Sequence, residues 1–569
     1  MNTIHLLAPE IAQKIAAGEV IERPVSVIKE LVENSLDAAA SVVRVDLASG
    51  GKALVRVSDN GCGMGREDAL LCFERHSTSK ISTEEDLWRI SSLGFRGEAL
   101  ASISAVSRLV LRTADGKEGK GTQIEREGER VLKVSDIAFP QGTTVEVRDL
   151  FFNLPARQKF LRSDRSELGL AVKYLTFVAL AYPEVGFSLF QGTREILNCP
   201  AVAGARERIF QLYGRAVLER LMECQHEEQG YDVRGFASRP PSGRQDRAHQ
   251  FFFVNRRPVK DRILQAALNQ AFRGSLEKEQ FPEAFLFLRL PFSDVDVNVH
   301  PAKAEVRFKE SQLVFHLILR CLERSLLKDK GFREVYPAER EERPESWVRD
   351  GAGRQAFYPP RQGKEDRPEL FPAPAADSGP HPQVLGQYLD TYIVATGEEG
   401  LLVIDQHNAH ERVLFEKYKE IDSRRSWPRK MPLVPPLLDL SPPEVLALED
   451  NQAELDGAGF RIQAMGGRSY ALVEYPDILK EEEAQEIFLA VLGEMKEGKA
   501  IDRRERLLAT LACKTAIKAH QPLSWEKMDY LVRELFRTSR PSLCPHGRPI
   551  LVKLERSEIE KGMRRGPKF

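Results

Sequence analysis

The stretch DQHNAHERVLFE at positions 405–416 sets two imidazoles, an aspartate and two glutamates directly after the apolar run LLVI. In a helix, His407 and Glu411 stand four positions apart and share a face. Asp405 falls at the expected strand–helix junction, close to the same mouth, whereas Glu416 faces elsewhere and is a weaker ligand. Far along the chain, CPHGRP at 544–549 puts Cys544 and His546 one residue apart on a loop constrained by proline and glycine. ACKTAIKAHQPLS at 512–524 adds Cys513 on an expected helix. Thiolate and imidazole suit Zn²⁺, and carboxylates suit Mn²⁺ or Mg²⁺. No pair has the spacing of a paired CxxC zinc signature. The residues alone therefore leave two readings: half-sites that converge on one metal cluster, or a charged surface helix and an unrelated buried cysteine.

A second constellation lies near the start. Glu30 and Asn34 are also four apart in a helical pattern, so one face carries a carboxylate able to orient water and an amide oxygen able to ligate Mg²⁺. A solvated polar face is the plainer reading of that pair alone. Asp59 ends an apolar alternation and precedes Asn60-Gly61-Cys62-Gly63. A carboxylate there can accept from an exocyclic amine, and Gly61 and Gly63 let backbone approach a flat ligand. In SSLGFRGEALASIS, Gly94 and Gly97 precede an alanine-rich helical pattern, an arrangement that cradles anions. RHSTSKIST, between the loop after Asp59 and this stretch, is small and polar, as a mobile lid should be, and GTTVEV brings the Thr143 hydroxyl to the start of a strand. There is no GxxxxGK[ST] loop.

The elements that must position these groups are legible in part. ERPVSVIKELVENSLDAAA opens with a proline suited to a first helical turn, and Val25, Ile28, Leu31, Val32 and Leu36 keep helical spacing. SVVRVDL alternates Val43, Val45 and Leu47 as a strand does, and ALVRVSD reads as another strand. The pattern is an α/β sandwich without the strict alternation of a doubly wound sheet. Residues 331–380 hold eight prolines among alternating charges and too little apolar surface to repay ordering; they read as a flexible tether. At 569 residues, three or four lobes are expected. A net charge of −1 confines any nucleic-acid surface to local basic stretches such as RQKFLR at 157–162 and NRRPVKDR at 255–262. Seven scattered cysteines fit reduced thiols, and no apolar run of membrane-spanning length occurs, so a cytoplasmic protein without a membrane partner is expected.

Order and spacing carry more than the single motifs. ELVENSLDA, DNGCGM, RHSTSK, GFRGEAL and GTTVEV together resemble the ATPases of the gyrase, heat-shock chaperone, histidine kinase and MutL superfamily. IAAGEVIERPVSVIKELVENSLDA, LFFNLPARQKFL, FFFVNRRPVK and DVNVHPAKAEVRF resemble the MutL family of DNA mismatch-repair proteins across about residues 1–325. The resemblance implies an α+β chain: an α/β sandwich ATPase domain (1–210), a second α/β domain like ribosomal protein S5 (211–330), the tether (331–380) and a dimerisation and endonuclease domain (381–569). It implies ATP and Mg²⁺ as cofactors, with Glu30 as general base, Asn34 as Mg²⁺ ligand, Asp59 and nearby Thr143 at adenine, Gly61, Gly63, Gly94 and Gly97 along the nucleotide, and Lys303 reaching the γ-phosphate.

DQHNAHERVLFE resembles the endonuclease motif of nicking MutL proteins, with Asn408 where alanine is usual; ACKTAIKA and CPHGRP resemble its companions. The implied cluster is Asp405, His407, Glu411, Cys544 and His546, holding Mn²⁺ or Zn²⁺, with Asp405 the main catalytic ligand. Implied partners are DNA bound without sequence preference, a second copy of the chain, the mismatch-recognition protein MutS, and, through MPLVPP at 431–436, the replication sliding clamp. The expected function is an ATP-gated DNA clamp, associated with the nucleoid, that couples mismatch recognition to strand incision. The alternative is a non-catalytic matchmaker that recruits a separate nickase.

Overall fold

The computed structural model of the chain describes residues 21–80, 93–94, 97–117, 119–244, 246–276, 280–296, 306–329, 382–397, 400–424, 427–495, 500–517 and 520–563. Lys303, the tether at 331–380 and the basic tail from 564 lie outside them. The chain divides into two compact units, one built mainly from the residues up to Tyr336 and the other mainly from those after it.

In the first unit, helix α1 (Pro24–Asp37) starts on its proline and buries Val27, Ile28, Leu31, Val32 and Ser35. Val25 and Leu36, expected on that stripe, are half-buried at its margins. The helix lies with α2 (Asp164–Ala181) over an eight-stranded mixed sheet. The strands are β1 (Val42–Ala48), β2 (Leu54–Asp59), β3 (Arg108–Ala114), β4 (Lys120–Glu127), β5 (Arg130–Ala138), β6 (Gly142–Arg148), β7 (Gly186–Gln191) and β8 (Arg194–Cys199), in the order β5-β4-β3-β6-β2-β1-β7-β8. Val43, Val45 and Leu47 point into the core, as their alternation requires. β2 pairs with both β1 and β6, which sets Asp59 opposite Thr143.

A five-stranded sheet follows: β9 (Leu221–Glu228), β10 (Tyr231–Ser238), β11 (Gln250–Val254), β12 (Arg257–Val259) and β13 (Ala284–Arg289), ordered β12-β11-β13-β10-β9. Strict alternation lets it serve two cores. Phe251, Phe253 and Phe285 join the cluster under the first sheet, while Phe252, Val254 and Leu286 join another with helices α3 (Arg262–Ala271) and α4 (Ser311–Asp329). The rings of Phe253 and Phe287 stack at 4.8 Å. A register slip of one residue would exchange the two sets, so the pairing is strongly specified.

The second unit contains a four-stranded antiparallel sheet, made by Gln383–Tyr388, Tyr392–Gly397, Gly400–Asp405 and Leu551–Glu555 in that order. Helices α5 (Gln406–Ser423), α6 (Ala500–Thr515) and α7 (Trp525–Arg537) pack together, and α5 and α7 share the sheet's core with Ile393, Ile404, Val413, Leu531 and Leu535. The opposite face carries Val394, Leu401, Val403, Val552 and Leu554, with Val552 60 % exposed. RSYALVEY belongs to another small sheet, as the strand Ser469–Pro476. Among the described residues no helix is long and apolar enough to cross a membrane.

Gly63 shows how tightly the loop after β2 is drawn against its neighbours. Its φ is +66°, and a Cβ there would stand 1.9 Å from the Ala114 carbonyl oxygen. Gly63→Ala should therefore cost about 2 kcal/mol or more in urea denaturation of the chain. A variant within experimental error of the parent would show that the loop relaxes freely.

Candidate functional site

The chain's first site gathers at the end of β2 and along α1. Glu30 is half-buried on the same helix face as Asn34. The Asn34 Oδ1 accepts from the Lys80 ammonium at 2.8 Å, and that ammonium also pairs with Asp37 Oδ2 at 2.6 Å. Asp37 in turn accepts from the backbone N–H of Leu93 at 2.9 Å and of Gly94 at 3.2 Å. Gly97, at φ +61°, leads into a short helix, Ala99–Ala105.

Asp59 is fixed from both sides. Its Oδ1 accepts from the Gly61 N–H at 2.9 Å, and its Oδ2 lies 2.8 Å from the Ser35 hydroxyl. Burial pushes its carboxyl above the ordinary value, against the pull of those donors. Thr143 Oγ1 lies 3.0 Å from Thr113 Oγ1, which also accepts from the Met64 N–H. Thr113 is fully buried and carries no signal in the sequence that marks it for this site, while Lys80 and Asp37 lie in RHSTSK and ELVENSLDA without being singled out there. Asn60 is structural. Its Oδ1 accepts from the N–H groups of Ser41 and Val42 and anchors the start of β1. Gly61 and Gly63 are required first by the chain itself, since a Cβ on either would press on the backbone of Ala38 or Ala114.

The second site forms where the strand Gly400–Asp405 runs into α5. Glu411 is fully buried, and neither carboxylate oxygen has a hydrogen bond of good geometry. His407 Nε2 stands 3.1 Å from one oxygen and His546 Nδ1 stands 3.5 Å from the other. The ligand atoms of His407, Glu411 and Cys513 lie within 4.8 Å of one another, and so do those of Glu411, Cys544 and His546. The two half-sites thus meet on one carboxylate. Burial would raise the Glu411 carboxyl, but the proton-bearing groups of His407, His546 and Cys513 outweigh it and hold it far below the carboxylate range. Cys544 and then Glu411 push the His546 imidazole up to about 10.

The surrounding contacts aim these groups. Nδ1 of His407 donates to the Ile517 carbonyl at 2.8 Å, which turns Nε2 toward Glu411, and the hydrogen bond with that carboxylate pulls the imidazole's pKa up. His410 accepts the Ile517 N–H through Nδ1 at 2.9 Å, and burial drives its pKa down to about 3; it is a neutral structural residue. Arg412 Nε donates to the Leu543 carbonyl at 2.7 Å, next to Cys544, and Glu416 accepts from the Ser539 hydroxyl at 2.6 Å. Asn408 Nδ2 donates to the Pro549 carbonyl at 3.1 Å, so this chain's departure from alanine ties α5 to the CPHGRP loop. Asp405 caps α5 by accepting from the Asn408 N–H at 2.9 Å, and it belongs to neither ligand group. Cys513, which lies within the companion motif ACKTAIKA but outside the expected cluster, stands among the candidate ligand atoms, because α6 brings it there from about a hundred residues away.

Three stretches of the chain match known families. Residues 22–148 match the family of histidine kinase-, DNA gyrase B- and HSP90-like ATPases, which defines the first unit as an ATPase of that class. Residues 209–327 match the DNA mismatch repair protein C-terminal domain, and 385–523 match the MutL C-terminal dimerisation domain. The MutL proteins of Koribacter versatilis and Syntrophotalea carbinolica are 36% and 37% identical to this chain; each alignment covers 99% of it, and 100% and 99% of the relatives. The chain belongs to the MutL family of DNA mismatch repair proteins. Among solved structures, the ADP complex of the Aquifex aeolicus MutL ATPase domain is 32% identical, covering 52% of this chain and 98% of that one at a TM-score of 0.37.

Gln406 supplies a test of how the second site is held. Its buried amide donates to the carbonyls of Asp390 and Gln521 and accepts from Gln387 at 2.6 Å. Gln406→Leu strands those groups and should cost about 2–3 kcal/mol in the urea unfolding of the chain. An unchanged midpoint would mean that water replaces the amide.

Proposed function

We propose that the chain is an ATP-gated mismatch-repair protein whose C-terminal unit nicks DNA with a bound metal. The observation that carries this reading is Glu411: a buried carboxylate without good hydrogen bonds, flanked by imidazole and thiol on both sides, is a poor structural choice and a good metal ligand. His407, Glu411 and Cys513 would hold one cation, and Glu411, Cys544 and His546 another. The donor set suits Zn²⁺ at the thiols, with Mn²⁺ completing a catalytic arrangement near Asp405. When bound, such a cation supplies an activated water and charge stabilisation at phosphate. The protein's own part is to keep Glu411 ionised, to present His407 through Nε2, and to hold the CPHGRP loop against α5 through Arg412 and Asn408.

At the first site, Glu30 would orient the attacking water and Asn34 would ligate Mg²⁺ beside the phosphates, with Asp59 at the adenine amine and Thr143 beside it. The Asp59 carboxylate, already holding the Gly61 N–H, keeps lone pairs for that amine. Lys303 would complete the phosphate contacts. A second copy of the chain would pair across the apolar sheet face of Val394, Leu401, Val403, Val552 and Leu554. Met431, Leu433 and Val434, at 77%, 93% and 74% exposure, would offer the sliding clamp an apolar hook. DNA would be held by phosphate contacts alone, and MutS would deliver the mismatch signal.

In a supercoiled-plasmid assay with Mn²⁺, the parent should nick, and Asp405→Asn and Glu411→Gln should each lose about a hundredfold or more. Glu411→Gln should also lose bound zinc by elemental analysis, whereas Asp405→Asn should keep it. A parent that binds DNA and never nicks would favour the matchmaker alternative. Separately, Glu30→Ala should lose ATP hydrolysis about a hundredfold yet retain ADP binding; unchanged turnover would remove Glu30 from its assigned role.

A further inference from the structure

The first site contains a cation of its own. The Lys80 ammonium lies 2.8 Å from Asn34 Oδ1 and 2.6 Å from Asp37 Oδ2, with the side chains of Lys80 and Asp37 only 21% and 12% exposed. Residues 93–94 lie against the pair: Asp37 accepts from the Leu93 and Gly94 N–H groups, and a Cβ built on Gly94 would stand 3.4 Å from the Lys80 nitrogen. One carboxylate therefore binds an ammonium and two backbone amides, with Oδ2 shared between the ammonium and the Gly94 N–H and Oδ1 taking the Leu93 N–H.

We propose that Lys80 is a resident counter-cation, which holds the Asn34 amide oxygen and must yield that oxygen to Mg²⁺. This rests on the reading of Asn34 as the Mg²⁺ ligand. A Mg²⁺–oxygen bond is about 2.1 Å long, so an ammonium and a divalent ion on the same oxygen would be forced into strong repulsion. The two cations are alternatives. While it holds that oxygen, Lys80 serves as a positioning residue: it neutralises Asp37 and keeps the Asn34 side chain oriented. Once displaced, its flexible four-carbon stem leaves the ammonium within reach of nucleotide phosphates. Asp37, retaining its two amide contacts, would go on holding residues 93–94 beside the site.

Linkage makes the competition measurable without turnover. Mutually exclusive occupants oppose each other, so removing one must strengthen the effect of the other. The experiment measures the affinity of the full chain for N-methylanthraniloyl-ADP with excess Mg²⁺ and again with EDTA, and takes the ratio. Lys80→Met and Lys80→Gln, the second keeping a donor for Asn34 without the charge, should each raise the tightening by Mg²⁺ about tenfold over the parent. Asn34→Ala should abolish it. Using both neutral variants, each checked by circular dichroism, guards against a fold defect in one.

An unchanged ratio in Lys80→Met and Lys80→Gln, with Mg²⁺ still tightening binding to the parent and not to Asn34→Ala, would overturn the proposal and leave Asn34 as the ligand. If Mg²⁺ has no effect on the parent, both readings fall. A lysine that merely binds phosphate, or merely supports the fold, would weaken both affinities together and leave the ratio where it was.

Discussion

One buried carboxylate sets the terms for the C-terminal unit. Placing Glu411 in the interior without hydrogen bonds of good geometry costs several kcal/mol unless positive charge compensates it. Imidazoles at 3.1 and 3.5 Å provide that compensation only in part. Everything around Glu411 is organised to keep those partners in place: the Ile517 backbone grips His407 and His410, and Arg412 reaches the loop beside Cys544. Such an arrangement is costly as mere architecture and economical as a metal cradle.

The two units solve related problems by similar means. In each, a strand delivers an aspartate to its end, and a helix presents two polar side chains four residues apart. In each, the decisive compensation arrives from distant sequence. Lys80 crosses to Asn34 and Asp37 from more than forty positions away, and Cys513 and His546 cross to Glu411 from more than a hundred. Local sequence builds the framework, while long-range packing sets the charge balance within it.

That division explains what the sequence alone makes legible. The helix at Pro24–Asp37, the strand ending at Asp59 and the Asp405 junction can be read because apolar periodicity and turn chemistry are local signals. His407 and Glu411 can be read because helical spacing fixes a shared face, and the partnership with Cys544 and His546 follows from residue chemistry and family resemblance together. The ligand place of Cys513 cannot, since nothing in ACKTAIKA reveals which way α6 will turn. Two neighbouring histidines also look alike in sequence. The fold separates them, leaving His407 facing Glu411 and burying His410 as a hydrogen-bond acceptor. Lys80 and Asp37 lie in RHSTSK and ELVENSLDA, but their pairing is hidden for the same reason as the place of Cys513: an ion pair between distant residues leaves no periodic trace.

The most direct measurement of whether Glu411 and its neighbours hold a metal is X-ray absorption at the zinc edge on the full chain loaded with Zn²⁺. A metal cradle of this composition predicts mixed sulfur and nitrogen or oxygen ligation, with Zn–S distances of about 2.3 Å, and less sulfur scattering in Cys513→Ser. A spectrum with nitrogen and oxygen neighbours alone, the same in parent and variant, would contradict it.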